Sequence, residues 1–176
     1  MRIEFPFVTS TPAAVFRRAD TLWLVFDSDA TVDLTAVKRE AGDAIREAHF
    51  DRSKDGAAMV RLRLARPRLT GVINDGPAWI VDVGDNVIAP TKPLSIARSI
   101  AGKNRASIAI PFDDARKVHR ITDPAVGDNL MVITALAPAR GFLKAQDFVE
   151  LRALPSAHGV VLQPLADDLT AELSAD

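Results

Sequence analysis

The apolar stretch TLWLVF at residues 21–26 decides how this chain is expected to fold. Five of its six side chains are apolar, so both faces of an extended segment would be buried. Ala19 and Asp20, just before it, predict a turn to a preceding apolar strand at residues 14–17. A deep strand with a hairpin partner favours a core built on β-sheet.

Further strands are predicted where apolar residues alternate or run together. In AMVRLRL, residues 58–64, Met59, Arg61 and Arg63 are predicted to share the more exposed face. Trp23 and Trp79 lie in apolar strands and are predicted to be core. The remaining predicted strands are AWIVDV (78–83), SIAIPF (107–112), LMVIT (130–134) and residues 148–151.

Turn-forming residues predict two further hairpins. Asn74-Asp75-Gly76-Pro77 separates two apolar stretches, and an Asp-Gly pair tolerates the positive φ that a tight hairpin needs. Residues 102–104 (GKN) separate residues 95–100 from residues 107–112 in the same way. Both connections favour antiparallel pairing of neighbouring strands.

One segment has a helical period instead. Residues 34–49, LTAVKREAGDAIREAH, place Leu34, Val37, Ala41 and Ile45 on one face. Asp33 is the predicted N-cap. A glycine within the segment costs about 1 kcal/mol relative to alanine. The sequence therefore predicts one amphipathic helix near residues 34–49, either continuous or broken in the middle.

The sequence also contains similar segments that are far apart in the chain. Residues 20–25 (DTLWLV) align without a gap on residues 128–133 (DNLMVI), and FPF at 5–7 corresponds to IPF at 110–112. Weaker matches end with residues 79–83 against 169–173. These matches predict an internal duplication that pairs residues 5–83 with residues 110–173. Repeated hairpins without a duplication are the alternative.

The predicted fold class is therefore mostly β, with two similar β subdomains packed as a sandwich. Each half alone would leave an apolar face open, so the halves are expected to close on each other. A β-propeller fragment is the alternative, and it would pack the halves radially. The predicted domains are a first β repeat with an inserted helix (1–88), a connector hairpin (89–106) and a second β repeat (107–176).

Composition excludes several classes of function. The 22 Lys and Arg residues balance 23 Asp and Glu residues and do not cluster, so nucleic-acid binding is not expected. The absence of cysteine rules out disulfides, thiolate catalysis and Cys-ligated zinc. No apolar run approaches the roughly 18 residues that cross a bilayer, and no signal peptide is recognisable. We expect a fragment of a longer protein that continues beyond Asp176.

Catalytic motifs are missing from the sequence. His49, His119 and His158 stand far apart, and each is predicted to be structural. The sequence contains no recognisable nucleophile motif and no glycine-rich phosphate-binding loop. The sequence thus predicts no catalytic residue, no cofactor and no metal site. A carboxylate-based hydrolase or isomerase is the enzyme alternative, and its acidic groups would converge between the halves with raised pKa values, drawn from Asp27, Asp82, Asp113 and Asp128.

Basic residues suggest one candidate binding surface. Arg17 and Arg18 fall on one hairpin of the predicted repeat, and Arg116, Lys117 and Arg120 fall on the equivalent hairpin. If these hairpins lie side by side, the five side chains would form a surface for an anionic polymer. Charges that protect edge strands from unwanted pairing are the alternative explanation.

The first half also resembles a known family. AVFRRADTLWLVFDSDATVDL, then the predicted helix, then AMVRLRLARPRLTGVINDGPAWIVDVG is similar to the layout of AMIN-type envelope modules over residues 13–84. The resemblance implies a small β-sandwich that attaches envelope proteins to peptidoglycan or the division site. The predicted helix departs from that family. The chain also resembles the N-terminal part of long alphaproteobacterial envelope proteins, for which no activity is implied.

These observations lead to one functional expectation. We expect a non-catalytic interaction module of a larger bacterial envelope protein, periplasmic or otherwise extracytoplasmic. Its expected partner is another protein or peptidoglycan.

Overall fold

The structure is a computed structural model that describes residues 1–87, 89–101 and 105–174. Strands dominate the described residues, which contain a single α-helix, so the mostly β fold class is confirmed. No helix among them is long and apolar enough to cross a membrane.

The first half contains seven strands and the helix. The elements are β1 (Arg2–Phe5), β2 (Ala13–Arg18), β3 (Thr21–Phe26), α1 (Leu34–Ala41), a 3₁₀ helix (Gly42–Ala44), β4 (Ile45–Arg52), β5 (Ala58–Leu64), β6 (Leu69–Asp75) and β7 (Ala78–Gly84). The predicted hairpins β2–β3 and β6–β7 are both confirmed by antiparallel pairing.

The connector and second half contain strands of two to eight residues. They are β8 (Lys92–Pro93), β9 (Ala97–Ala101), β10 (Arg105–Ala109), β11 (Ala115–Thr122), β12 (Asn129–Ala135), β13 (Arg140–Gly141), β14 (Gln146–Asp147), β15 (Leu151–Leu154), β16 (Ser156–His158) and β17 (Val160–Pro164). β9 pairs with β10 as predicted, but the turn at 102–104 lies outside the described residues. The strand predicted at 148–151 is wrong, because only Leu151 is in a strand and β14 and β15 pair on either side of a turn.

The helix predicted over 34–49 is correct only in its first half. Asp33 caps α1 as predicted, since its Oδ1 accepts the amide hydrogens of Thr35 and Ala36. Gly42 then ends α1 at φ 53°, and the chain continues into β4, which pairs with β5. A β-bulge between Ile45 and Glu47 places Ile45 and Ala48 opposite Leu64 and Leu62 on the same face. This three-residue spacing imitates a helical period.

The first half is itself a two-layer sandwich. One layer is the three-stranded sheet β1-β7-β6, and the other is the run β2-β3-β5-β4 of a ten-stranded sheet. Their facing side chains form a first core cluster that includes Phe5, Trp79, Leu24 and Leu62. β3 is buried on both faces, as TLWLVF predicts.

The opposite face of β2 and β3 packs against the second half. Phe16, Trp23 and Val25 form a second core cluster with Leu130 and Val132 of β12. The two halves also share the ten-stranded sheet, in which one residue pair joins β12 to β2 and β16 pairs with β2. The predicted sandwich is confirmed, and this face-to-face contact contradicts the radial packing of the propeller alternative.

The outer face of the second half carries a third core cluster. Phe142, Ile133 and Leu162 form it with Leu94 of the connector, and Ile108 of β10 packs against it. The guanidinium of Arg98 on β9 lies 4.9 Å from the ring centre of Phe148. The connector therefore covers the second half.

The internal duplication remains a prediction. The hairpins β2–β3 and β11–β12 do occupy corresponding places in the two halves. However, residues 169–173 form no strand, whereas residues 79–83 belong to β7. The three-stranded sheet thus has no counterpart among the described residues of the second half. The predicted domain boundaries also remain predictions, and β10 crosses the boundary at 106/107.

Candidate functional site

A charged cluster lies at the contact between the two halves. Asp27 is the first residue after the apolar strand β3, Asp55 lies in the β4–β5 turn, and His119 is on β11. His119 is completely buried. Its Nδ1 lies 2.7 Å from Oδ2 of Asp55, and its Nε2 is hydrogen-bonded to Oδ1 of Asp27. Both ring nitrogens donate to carboxylates, so the ring is held as the imidazolium.

The remaining carboxylate oxygens of this cluster also have partners. Thr134 Oγ1 donates to Oδ2 of Asp27 over 2.7 Å, and the hydroxyl of Ser53 donates to Oδ1 of Asp55. Lys117 Nζ lies 3.3 Å from Oδ2 of Asp55. All four carboxylate oxygens are therefore engaged, as a partly buried ion pair requires.

The pKa values follow from this geometry. Burial opposes the charge of His119, but hydrogen bonds and charges from Asp27 and Asp55 outweigh it and raise the pKa of the imidazole above 6.5. Burial alone would raise the pKa of Asp55. The hydrogen bond from Ser53 and the charge of His119 lower that pKa from 3.8 to about 2. The cluster thus stabilises its charged form.

This arrangement connects the halves more readily than it performs chemistry. An imidazolium with both nitrogens bound to carboxylates has no lone pair with which to accept a proton or bind a metal. The two carboxylates lie on opposite nitrogens, so they do not converge on one point. Among the described residues, no group of three His, Asp or Glu side chains is placed to hold a metal ion.

The carboxylates of the enzyme alternative lie apart from one another. Asp27 binds His119, Asp128 binds Arg18, and Asp113 is 88% exposed beside Arg140. Asp82 lies on β7 in the three-stranded sheet. Asp27 does approach another acid, Asp55, but the pKa of Asp55 is lowered, the opposite of what a carboxylate acid catalyst needs.

A second ion-pair cluster joins the same two halves. Arg18 Nη1 and Nη2 donate to Oδ1 and Oδ2 of Asp128, each over 2.8 Å, and Nη1 also reaches Asp123. Gln163 Nε2 donates to Oδ2 of Asp128 over 2.8 Å. The hydrogen bond to Asp128 is the main cause of the raised pKa of Arg18. Arg18 is 17% exposed, so this two-point contact is largely shielded from water.

The five predicted basic binding residues do not gather on one surface. Arg18 and Lys117 point into the contact between the halves, where they bind Asp128 and Asp55. Arg17 lies on the opposite side of β2 and donates to the carbonyl of Arg68 over 2.9 Å. Arg120 alternates with His119 along β11 and therefore faces away from the contact. Arg116, next to β11's first residue, is paired with Asp114.

The other two histidines differ from His119. His158 is buried and its Nε2 lies 2.9 Å from the carbonyl of Ala135, while its Nδ1 accepts the amide hydrogen of Arg140. Burial lowers the pKa of His158. His49 is exposed beside Glu47. His158 thus has a structural role, as predicted for it.

An open groove lies on the first half. Its volume is about 360 Å³, and it lies between the segment that follows β1, the loop before α1 and α1 itself. Phe5 and Val37 form part of its apolar floor, with the half-buried Phe7 and Val32. It is lined by Glu4, Phe5, Pro6, Phe7, Ala30, Thr31, Val32, Asp33, Ala36, Val37 and Glu40. The lining contains three carboxylates and no basic side chain.

A smaller cavity of about 240 Å³ lies beside the β6–β7 turn. Trp79 is in its wall, but the indole Nε1 already donates to the carbonyl of Thr11 over 2.7 Å. The charged lining that distinguishes the groove is missing from this cavity.

Comparisons with known proteins provide no family assignment: no family model, no curated protein and no solved structure gives a significant match to the chain.

Proposed function

We propose that this chain is a non-catalytic interaction module of a bacterial envelope protein and that it binds a partner protein. The envelope setting rests on the resemblance of residues 13–84 to AMIN-type modules. The observation that carries the binding role is the groove beside α1, which combines an apolar floor with exposed carboxylates. Apolar surface bordered by polar groups is typical of interaction sites.

The ion-pair clusters support a scaffold for binding rather than catalysis. His119 and Arg18 each bind two carboxylates of the other half, so these ion pairs connect the two halves. The groove itself lies on the first half, where β1 pairs with β7 and the buried Val37 and Ala41 hold α1 on the core. A pre-formed surface lowers the entropic cost of binding a flexible partner.

A partner protein fits the groove better than the cell wall does. The lining contains three carboxylates and no cation, and peptidoglycan carries carboxylates of its own. Like charges close together oppose binding. We therefore propose protein binding as the main function, with cell-wall attachment as the competing outcome.

Co-sedimentation tests this function. The purified chain is mixed with the envelope fraction of its source organism, with the same fraction after protease treatment, and with purified peptidoglycan. We expect pelleting with the untreated envelope that is lost after protease treatment. Pelleting with peptidoglycan alone at low salt would instead establish cell-wall attachment. Absence of pelleting in all three samples would refute an envelope-binding role.

A further inference from the structure

We propose that the groove between β1 and α1 binds a segment of the partner protein in which a large apolar side chain is flanked by Lys or Arg. This inference rests on the proposed function and specifies the chemistry of its partner. Three observations carry it: the apolar floor, the sign of the charge at the rim, and the fixed position of the walls.

The floor of the groove fits an apolar side chain. Phe5 and Val37 are 2% and 4% exposed and belong to the first core cluster, while Phe7 and Val32 pack on that cluster and remain partly open to solvent. The Phe7 ring centre lies 4.9 Å from that of Phe26, which anchors it. A volume of about 360 Å³ is near the lower end of the range of about 300–1,000 Å³ for small-ligand sites. It therefore accommodates one or two side chains of a segment.

The rim of the groove favours a cation. Glu4, Asp33 and Glu40 are exposed. Oδ1 of Asp33 already accepts two amide hydrogens at the start of α1. Within the described part of the chain, the Glu4 and Glu40 carboxylates make no hydrogen bond or ion pair. Two uncompensated carboxylates beside an apolar floor attract Lys or Arg and repel anionic segments.

The walls of the groove are held in place independently of any ligand. β1 pairs with β7 along its whole length, and the amino group of Met1 donates to the carbonyl of Val83 over 2.8 Å. On the other side, the buried Val37 and Ala41 fix α1 against the core. A segment would thus bind with little rearrangement of the protein.

A phage-displayed library of random 12-residue peptides tests the specificity. The whole chain is immobilised at 50 mM NaCl, and enriched peptides are synthesised and measured by fluorescence anisotropy. We expect enriched sequences to place Lys or Arg within two positions of Leu, Ile or Phe. Binding should weaken at least tenfold between 50 and 500 mM NaCl, because exposed charges are screened by salt.

A charge-matched pair of variants locates the binding site. E4Q/E40Q removes the two groove carboxylates that have no partner among the described residues and leaves Asp33, and E150Q/E172Q removes two exposed carboxylates elsewhere. All four are on the surface, so both variants are expected to keep the fold, which circular dichroism checks. The dissociation constant should rise at least tenfold for E4Q/E40Q and change less than twofold for E150Q/E172Q.

The other outcomes separate this inference from the proposed function. Enriched peptides that bind both double variants equally would refute the groove as the site, and so would enrichment without basic residues. The co-sedimentation result would still stand in either case. A failure to enrich any peptide, together with protease-sensitive pelleting, would overturn the segment specificity alone. No enrichment and no pelleting would overturn both.

Discussion

Nε2 of His119 is hydrogen-bonded to Oδ1 of Asp27, and this contact links two residues that are 92 positions apart in the chain. Asp55 binds the opposite side of the same ring. The imidazolium therefore connects β11 to both the end of β3 and the β4–β5 turn. Removal of this buried ring would leave the Asp27 carboxylate without its cation. That unpaired charge is expected to account for most of the lost stability.

Replacement of His119 should destabilise the protein strongly. H119A leaves Asp27, whose side chain is 15% exposed, without its cation, and loss of one partner of a buried ion pair costs about 3–5 kcal/mol. We expect a loss near the lower end of this range, about 3 kcal/mol, in the free energy of unfolding measured with urea. H49A is the matched control. His49 is 58% exposed, so its loss should cost less than about 1 kcal/mol. Equal effects of the two variants would contradict the role of His119 in joining the two halves.

The stabilisation from this cluster should depend on pH. The pKa of His119 is raised in the folded state, so its contribution is complete below 6.5 and is lost as the pH rises through the folded pKa. The pKa of Asp55 falls from 3.8 to about 2 on folding, so its contribution is complete above 3.8 and is lost as the pH falls towards 2. The difference in unfolding free energy between the wild type and H119A should therefore be largest between pH 3.8 and 6.5.

The difference in unfolding free energy between the wild type and H119A is measured because His158 also contributes a pH dependence. Its pKa is lowered by burial, so its contribution to stability is complete above 6.5 and is lost at lower pH. The wild-type curve alone would mix two opposite trends around pH 6.5. Subtraction of the H119A curve removes the His158 effect, which both proteins share. A difference that stays constant from pH 5 to pH 9 would contradict a charged His119.

The two adjacent arginines should respond unequally to substitution. Arg18 donates through both terminal nitrogens to Asp128, and lysine cannot reproduce this two-point contact. We expect R18K to cost about 2 kcal/mol of unfolding free energy, because hydrogen bonds to charged groups are each worth about 1.5–3 kcal/mol. R17K should cost under about 0.5 kcal/mol, since Arg17 is exposed and makes one hydrogen bond to a carbonyl. Similar losses for both variants, measured by urea unfolding, would contradict this assignment.

Local features of the sequence predict much of the fold. β3 is apolar on both faces, which predicts that it is buried on both sides, and the two-residue turn Gly76-Pro77, with Gly76 at φ 56°, closes the β6–β7 hairpin. The helix prediction fails at Ile45 and Ala48, because a β-bulge and a helix both place residues three apart on one face. Over a few residues, the spacing of apolar side chains alone does not distinguish a bulged strand from a helix.

The ion-pair clusters could not be predicted, because their members are far apart in the sequence. Asp27, Asp55 and His119 come from three separate hairpins and share no motif. One signal does exist: His119 lies two residues before the apolar Ile121 on β11, so both side chains are on the same face of the strand, and that face is buried. A buried histidine requires a partner. The identity of that partner depends on the packing of the halves. The placement of the five basic residues depends on the same packing, since Arg18 and Lys117 pair with carboxylates of the opposite half.

Gly159 lies directly against Ala14 of β2 and Ile133 of β12, where there is no room for a side chain. Its φ is 85°, and a Cβ there would lie 2.7 Å from Cβ of Ala14 and 2.8 Å from the carbonyl oxygen of Ile133. Gly127 is the matched control, since its φ is 84° and a Cβ would meet nothing within 4 Å. Both substitutions by alanine carry the cost of a positive φ, about 1–2 kcal/mol. G159A adds steric overlap in a packed core, typically about 1–3 kcal/mol more. Urea unfolding should therefore show G159A to be less stable than G127A by at least about 1 kcal/mol. Equal stability of the two variants would show that Gly159 does not lie in close contact with β2 and β12.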